Sequence, residues 1–207
     1  MADGDIRSYL GSRILSVQEV KKWLFNIAVG LNYLHDNDIV HADLRAVNVL
    51  VSRNSEGNEV PQITDFGLSR FIATTSAAAQ IPSKQSKTEI TGNTRWLAPE
   101  VIILKGHKHT RESDVWSFGW LCWEIATGTH PLPDLIEPAV YTEVAITYTR
   151  PRRDIECKNT NGREIADELW ILMEACWSRM PEKRLSMKRI GSQLNPKKKK
   201  NSLGQTE

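Results

Sequence analysis

The stretch that decides the fold is "HADLRAVN", His41 to Asn48. It packs a histidine, an acid (Asp43), a cation (Arg45) and an amide (Asn48) into one short segment. Polar types at that density suit a loop that presents side chains to a ligand better than a packed core, where each would need a buried partner. Upstream, "SVQEVKKWLFNIAVGLNYLH" (16–35) carries Val17, Val20, Leu24, Ile27, Leu31 and Leu34 at alternating three- and four-residue steps. That spacing predicts an amphipathic helix, with Ser16 and Glu19 as a capping box. "HDNDIV" (35–40) ends the helix and leads into the loop. Downstream, "NVLV" (48–51) and "PQITDF" (61–66) predict two short strands joined by the polar "SRNSEGNE" (52–59). Asn48 stands at the entrance of the first strand and Asp65 at the exit of the second. A hairpin would therefore bring an amide and a carboxylate together although they lie far apart in sequence.

Further along, "RESDVWSFGWLCWEIATG" (111–128) is apolar nearly all round, which places a helix inside the protein. Gly128 is suited to stop it. "REIADELWILMEACW" (163–177) predicts another amphipathic helix and "SMKRIGSQL" (186–194) a short last one. "TTSAAAQIPSKQSKT" (74–88) has no usable period and is expected to be a mobile surface segment. "PKKKKNSLGQTE" (196–207) is expected to be a solvated, disordered tail. The expected fold class is mainly α with a small β-hairpin that carries polar residues at its mouth.

At 207 residues, 40% hydrophobic and 25% charged, the composition is that of a soluble globular domain. A net charge of +2 is too small to imply nucleic acid as a partner. Cys122, Cys157 and Cys176 are odd in number and irregular in spacing, which argues against a disulfide framework or a zinc site; buried free thiols are expected. No apolar run approaches the roughly 20 residues that span a bilayer, and "MADGDIRSYL" lacks the apolar centre of a secretory signal. No membrane partner is expected, and the expected location is the cytoplasm, with the nucleus second.

Five segments then carry a resemblance. "HADLRAVN" resembles the catalytic loop H-R-D-L-x-x-x-N, and "DFG" follows at 65–67. "APE" stands at 98–100, "SDVWSFG" (113–119) resembles the start of a central buried helix, and "CWSRMPEKRLSM" (176–187) resembles a closing C-W-x-x-x-P-x-x-R-P segment. In this order they cover most of the chain up to the basic tail. The sequence is similar to the C-terminal lobe of a eukaryotic protein kinase of the tyrosine-kinase-like and Ser/Thr group. The resemblance implies a kinase-like C-lobe (α+β) at 13–194, a hinge and following helix at 1–12, and a tail at 195–207. It implies ATP and Mg2+ as cofactors and a protein substrate. By the same resemblance Asp43 accepts the substrate hydroxyl proton, Arg45 meets the transferring phosphate, and Asn48 and Asp65 supply oxygen ligands to Mg2+. Met1 would lie near the adenine and Asp5 near the ribose. His41 would pack under the loop, Asp114 would hydrogen-bond the loop backbone, and Glu100 and Arg184 would form a buried ion pair. Trp96, Trp116, Trp123 and Trp177 are expected in the core. The plainer readings are that Asp43 caps a loop and that Asp65 caps a turn before Gly67.

The sequence also departs from that pattern. Ala42 replaces the usual Arg, so pairing with a phosphorylated activation-loop residue is unavailable from this loop. Asn93 stands where Thr or Ser is usual, and Leu185 where Pro is usual. No G-x-G-x-x-G loop, V-A-I-K lysine or partner glutamate occurs. The expectation is a chain truncated before the small lobe, N-lobe absent, inactive alone and needing a small lobe or partner chain to cover the nucleotide. The expected reaction is transfer of the ATP γ-phosphate to Ser or Thr, and less readily to Tyr. The alternative is a non-catalytic, kinase-like interaction module.

Overall fold

The stretch after Ser16 folds as its periodicity predicts. A computed structural model describes residues 4–11, 13–71, 94–103, 108–151, 153 and 165–197. The segment at 74–88, Met1, Asn93, Cys157 and the tail from 198 onward lie outside the described residues. A short helix, α1 (Ile6–Leu10), precedes α2 (Val17–Asp36). Ser16 caps α2: its hydroxyl accepts from the Glu19 amide at 3.3 Å, and the Glu19 carboxylate accepts from the Ser16 amide at 2.8 Å. The buried face holds Val20, Trp23, Leu24, Ile27, Ala28, Leu31 and His35. It is wider than the expected stripe, because α2 packs on the hairpin on one side and on the last helix on the other. Val17 and Leu34, at the edges of that face, are only partly buried.

The hairpin is present. β2 (Val49–Arg53) pairs antiparallel with β3 (Glu59–Ile63), with Val49 opposite Ile63 and Arg53 opposite Glu59. Its turn uses the Asn54 side-chain oxygen, which accepts from the amides of Glu56 and Asn58, and Gly57 at φ 78°. A second ladder joins β1 (Ile39–Val40) to β4 (Arg70–Phe71), antiparallel.

The helical mass follows. α3 is Pro99–Ile103 and α4 is Arg111–Thr127, in which every residue from Ser113 to Thr127 is buried. Gly128 ends α4 in the left-handed region at φ 74°, as a C-terminal glycine does. α5 (Glu137–Thr142) runs into a wider π turn at Glu143–Thr147, an element the sequence reading did not anticipate. The next helix, α6 (Asp167–Cys176), begins later than the expected 163, because Ala166 is extended (φ −62°, ψ 144°) and serves as the N-cap. α7 is Met187–Leu194, capped by Ser186.

α6 packs against α4. At their closest approach a Cβ on Gly119 would stand 2.6 Å from Trp177 Nε1 and 2.8 Å from Cys176 Cβ, so only glycine fits. Trp96, Trp116, Trp123 and Trp177 are core residues, as expected. Cys122 and Cys176 are free and buried; burial raises both thiols, Cys176 to about 12. Arg184 grips Glu100 with both terminal nitrogens, at 2.6 and 2.8 Å. No helix among the described residues is long and apolar enough to cross a membrane.

Candidate active site

The loop after β1 hangs from one buried acid. Asp114, on the first turn of α4, accepts from the His41 amide at 2.8 Å and the Ala42 amide at 2.9 Å. His35, near the end of α2, meets the same carboxylate at 2.9 Å. This grip holds Ala42 in the left-handed region, at φ 71°, where a Cβ is normally disfavoured. His41 is fully buried. Its Nε2 lies 2.9 Å from the Thr64 carbonyl, so it donates there, and its Nδ1 accepts from the Asp43 amide at 3.3 Å. The Phe66 ring meets it edge-on at 5.6 Å. Both ring nitrogens are spent on backbone, which is the structural role expected of His41.

The side chains that follow converge. Asn48 donates through Nδ2 to the Asp43 carbonyl at 2.7 Å and to Asp43 Oδ2 at 2.9 Å. Arg45 Nε stands 3.5 Å from Asp43 Oδ1, with its guanidinium 5.6 Å from the centre of the Trp96 ring. A short 3-10 turn, Ala46–Asn48, delivers Asn48 to the start of β2. Just past β3, the Thr64 amide donates to the Asn48 backbone carbonyl at 2.9 Å. Asp65, the next residue, is therefore set beside Asn48 by the ladder. Asp65 is exposed and left-handed (φ 59°, ψ 68°), and its Oδ1 accepts from the Gly67 amide at 3.3 Å. The turn-capping reading of Asp65 is thus also present.

Asp5 is engaged locally. It caps α1, accepting from the Ser8 amide at 2.9 Å and the Ser8 hydroxyl at 2.7 Å, and its backbone bridges Leu50 on β2. Burial pushes this carboxyl upward, but the hydrogen bonds from Ser8 outweigh it and leave Asp5 below its ordinary value. Met1, the other residue expected at the nucleotide, lies outside the described residues.

The donor set suits a hard cation delivered with its phosphates. Both Nδ2 bonds of Asn48 point at Asp43, which leaves its side-chain oxygen, Oδ1, with no hydrogen bond among the described residues. One oxygen of Asp65 is likewise without a bond there. No group of three or more His, Cys, Asp or Glu able to hold a metal occurs among the described residues. Mg2+ typically keeps several waters and binds through one or two carboxylates plus substrate phosphates, so a two-oxygen site fits it better than a dedicated cage would.

One residue escaped the sequence reading. Glu124, in the middle of an otherwise apolar stretch of α4, is 4% exposed. Its Oε2 accepts from the Ala46 amide and from Trp96 Nε1, each at 2.9 Å. Burial raises this carboxyl to about 7, against the pull of those two donors and of Arg7 and Arg45. An acid inside the apolar run from Val115 to Ala126, beyond the first turn of α4, was the signal that could have found it.

Comparison with known proteins shows the family. The sequence profile of a family described as protein tyrosine and serine/threonine kinase matches residues 1–194. The chain is similar to a mitogen-activated protein kinase kinase kinase of Drosophila melanogaster, 36% identical over 180 residues, covering 83% of this chain and 14% of that protein. It is similar to mitogen-activated protein kinase kinase kinase 10 of Mus musculus, at 32% identity over 92% of this chain and 19% of that protein. A serine/threonine-protein kinase of Arabidopsis thaliana is 31% identical over 94% of this chain and 30% of its own length. The chain thus spans less than a third of each of these relatives.

Proposed function

The chain belongs to the protein tyrosine and serine/threonine kinase family, and from that premise we propose that it serves the transfer of the ATP γ-phosphate to Ser or Thr of a protein substrate. The observation that carries the reading is the bond from Asn48 Nδ2 to Asp43 Oδ2. It orients the loop acid and commits the side-chain nitrogen of Asn48 to it, so the side-chain oxygen is the atom left to meet a cation.

In the proposed step the substrate hydroxyl oxygen attacks the γ-phosphorus, its proton passes to Asp43, and the bond to the bridging oxygen breaks to release ADP. A positioned base of this kind typically contributes a factor of ~10²–10⁴. Arg45 offers its guanidinium to the transferring phosphate, where a fork of donors matches phosphate oxygens. Asn48 and Asp65 would hold Mg2+, which supplies charge neutralisation at the phosphate oxygens. Asp5 and Met1 would face the nucleoside.

The layout is part of the proposal: a hinge and helix at 1–12, a large lobe at 13–194 and a tail at 195–207. So is a small lobe or partner chain over the nucleotide. Phe66 and Leu68, 51% and 48% exposed next to Asp65, support such a cover. The cytoplasm is the proposed location, supported by the free thiols Cys122 and Cys176. The test is transfer of labelled γ-phosphate to a Ser/Thr protein substrate by the chain fused to a kinase small lobe. Transfer that disappears in Asp43→Asn and in Asp65→Asn supports the reading. Transfer that survives Asp43→Asn removes it.

A further inference from the structure

Glu124 is a buried acid that the proposed reaction does not use, yet it ties together two segments that the reaction needs. Through one oxygen it holds the Ala46 amide, in the loop that carries Asp43, and the Trp96 indole, just before α3. The other end of Trp96 is fixed to the same helix, because Ser117 Oγ donates to the Trp96 carbonyl at 2.8 Å. Across its ring Trp96 carries the Arg45 guanidinium at 5.6 Å, and Arg45 Nε lies 3.5 Å from Asp43. Two routes therefore lead from Glu124 to Asp43. One runs along the backbone from Ala46, and the other passes through the indole and Arg45.

We propose that Glu124 is a positioning residue for this loop, whose ionised carboxylate holds Ala46 and Trp96 in the register that sets Arg45 beside Asp43. An ionised acceptor makes the shorter and stronger bonds to two N–H donors, and it attracts Arg45 as well. Protonation weakens all three at once. Burial places that protonation at about 7. The charged and titratable groups facing the carboxylate are Arg7 from α1, Arg45 from the loop, and His130 from the segment after α4. Arg7, Glu124 and His130 line a cavity of about 10 Å³, close to the space one water needs. The consequence for phosphoryl transfer rests on the proposed roles of Asp43 and Arg45, but the coupling itself does not.

The test is nitrogen-resolved NMR of the full chain across neutral pH, following the Trp96 indole and Ala46 amide signals. Both are expected to shift together with one midpoint at about 7. Glu124→Gln, which keeps an acceptor oxygen, should abolish the titration of both and hold them at their low-pH positions. His130→Ala should leave the titration in place. Signals that move independently, or that still titrate in Glu124→Gln, overturn the proposal. In the phosphotransfer assay, Glu124→Gln should flatten the dependence of kcat on pH near neutrality. If no transfer occurs at any pH while the paired titration is seen, the reaction assignment fails and the coupling stands.

Discussion

Replacing Arg184 by Met tests the frame on which the site is built. The Arg184 side chain is fully buried and Glu100 is 14% exposed. Besides its two bonds to Glu100, Arg184 donates to the carbonyls of Glu112 and Ser178, each at 2.9 Å, and lies 5.1 Å from the centre of the Trp116 ring. It therefore bolts the start of α3, the first turn of α4 and the segment after α6 to one another. Met fills similar volume but leaves a carboxylate without its cation and takes one donor from each of two carbonyls. Breaking one side of a buried pair typically costs about 3–5 kcal/mol. Glu100→Leu should cost less, about 2 kcal/mol, because the stranded guanidinium keeps its two carbonyl partners. The double variant should be less damaged than the two losses added together, by at least about 1 kcal/mol, since neither charge is then left alone. Urea unfolding followed by tryptophan fluorescence measures all three. A loss below about 1 kcal/mol for Arg184→Met, or strict additivity in the double variant, would refute the reasoning.

Other changes probe the helix that carries the loop. Asp114→Asn turns an amide N–H toward a backbone donor, and should cost about 2–3 kcal/mol while speeding hydrogen exchange at Ala42; unchanged exchange there would mean that the loop is held by something else. Gly119→Ala drives a Cβ against Trp177 and Cys176 and should cost about 1–3 kcal/mol, read as a lowered melting temperature. Glu124→Gln should change how stability depends on pH. Between the ordinary value of 4.5 and about 7 the folded protein keeps a proton on Glu124 that the unfolded chain gives up. Stability conferred by that proton is complete below 4.5 and is lost as pH rises through about 7. The Gln variant loses nothing over this range, so its stability relative to the parent should rise by about 3 kcal/mol from acid to mildly alkaline pH. A constant difference across that range would place the titration elsewhere.

The long helices were legible because period and caps agree: the stripe from Val20 to Leu31 with Ser16 and Glu19, and the all-round apolar run closed by Gly128. The helices α3 and α5 were not, and α1 was expected only through the resemblance, because segments of five or six residues form through tertiary contact and carry little periodicity. The β1–β4 ladder is two residues long and leaves no alternation to read. The start of α6 was misplaced because residues 163–177 continue one amphipathic pattern through Ala166, whose extended backbone ends it. Within the site, the approach of Asp65 to the start of β2 was legible from the hairpin, whereas the bonds from Asn48 to Asp43 were not, because spacing does not say which partner an amide takes. The left-handed backbone at Ala42 and Asp65 did not, since it depends on contacts from Asp114 and Gly67. Glu124 was passed over because an interior helix was judged by its apolar residues. The acid inside the run from Val115 to Ala126 was the informative position.

The most direct test of the account is where a divalent ion settles. Mn2+ added with ATP broadens the resonances of nearby nuclei, and the Asn48 side-chain amide and the Gly67 backbone amide are expected to broaden first. Asp65→Asn should remove that effect. Broadening that begins elsewhere on the chain, or that is the same in Asp65→Asn, would contradict a shared metal–nucleotide point between Asn48 and Asp65.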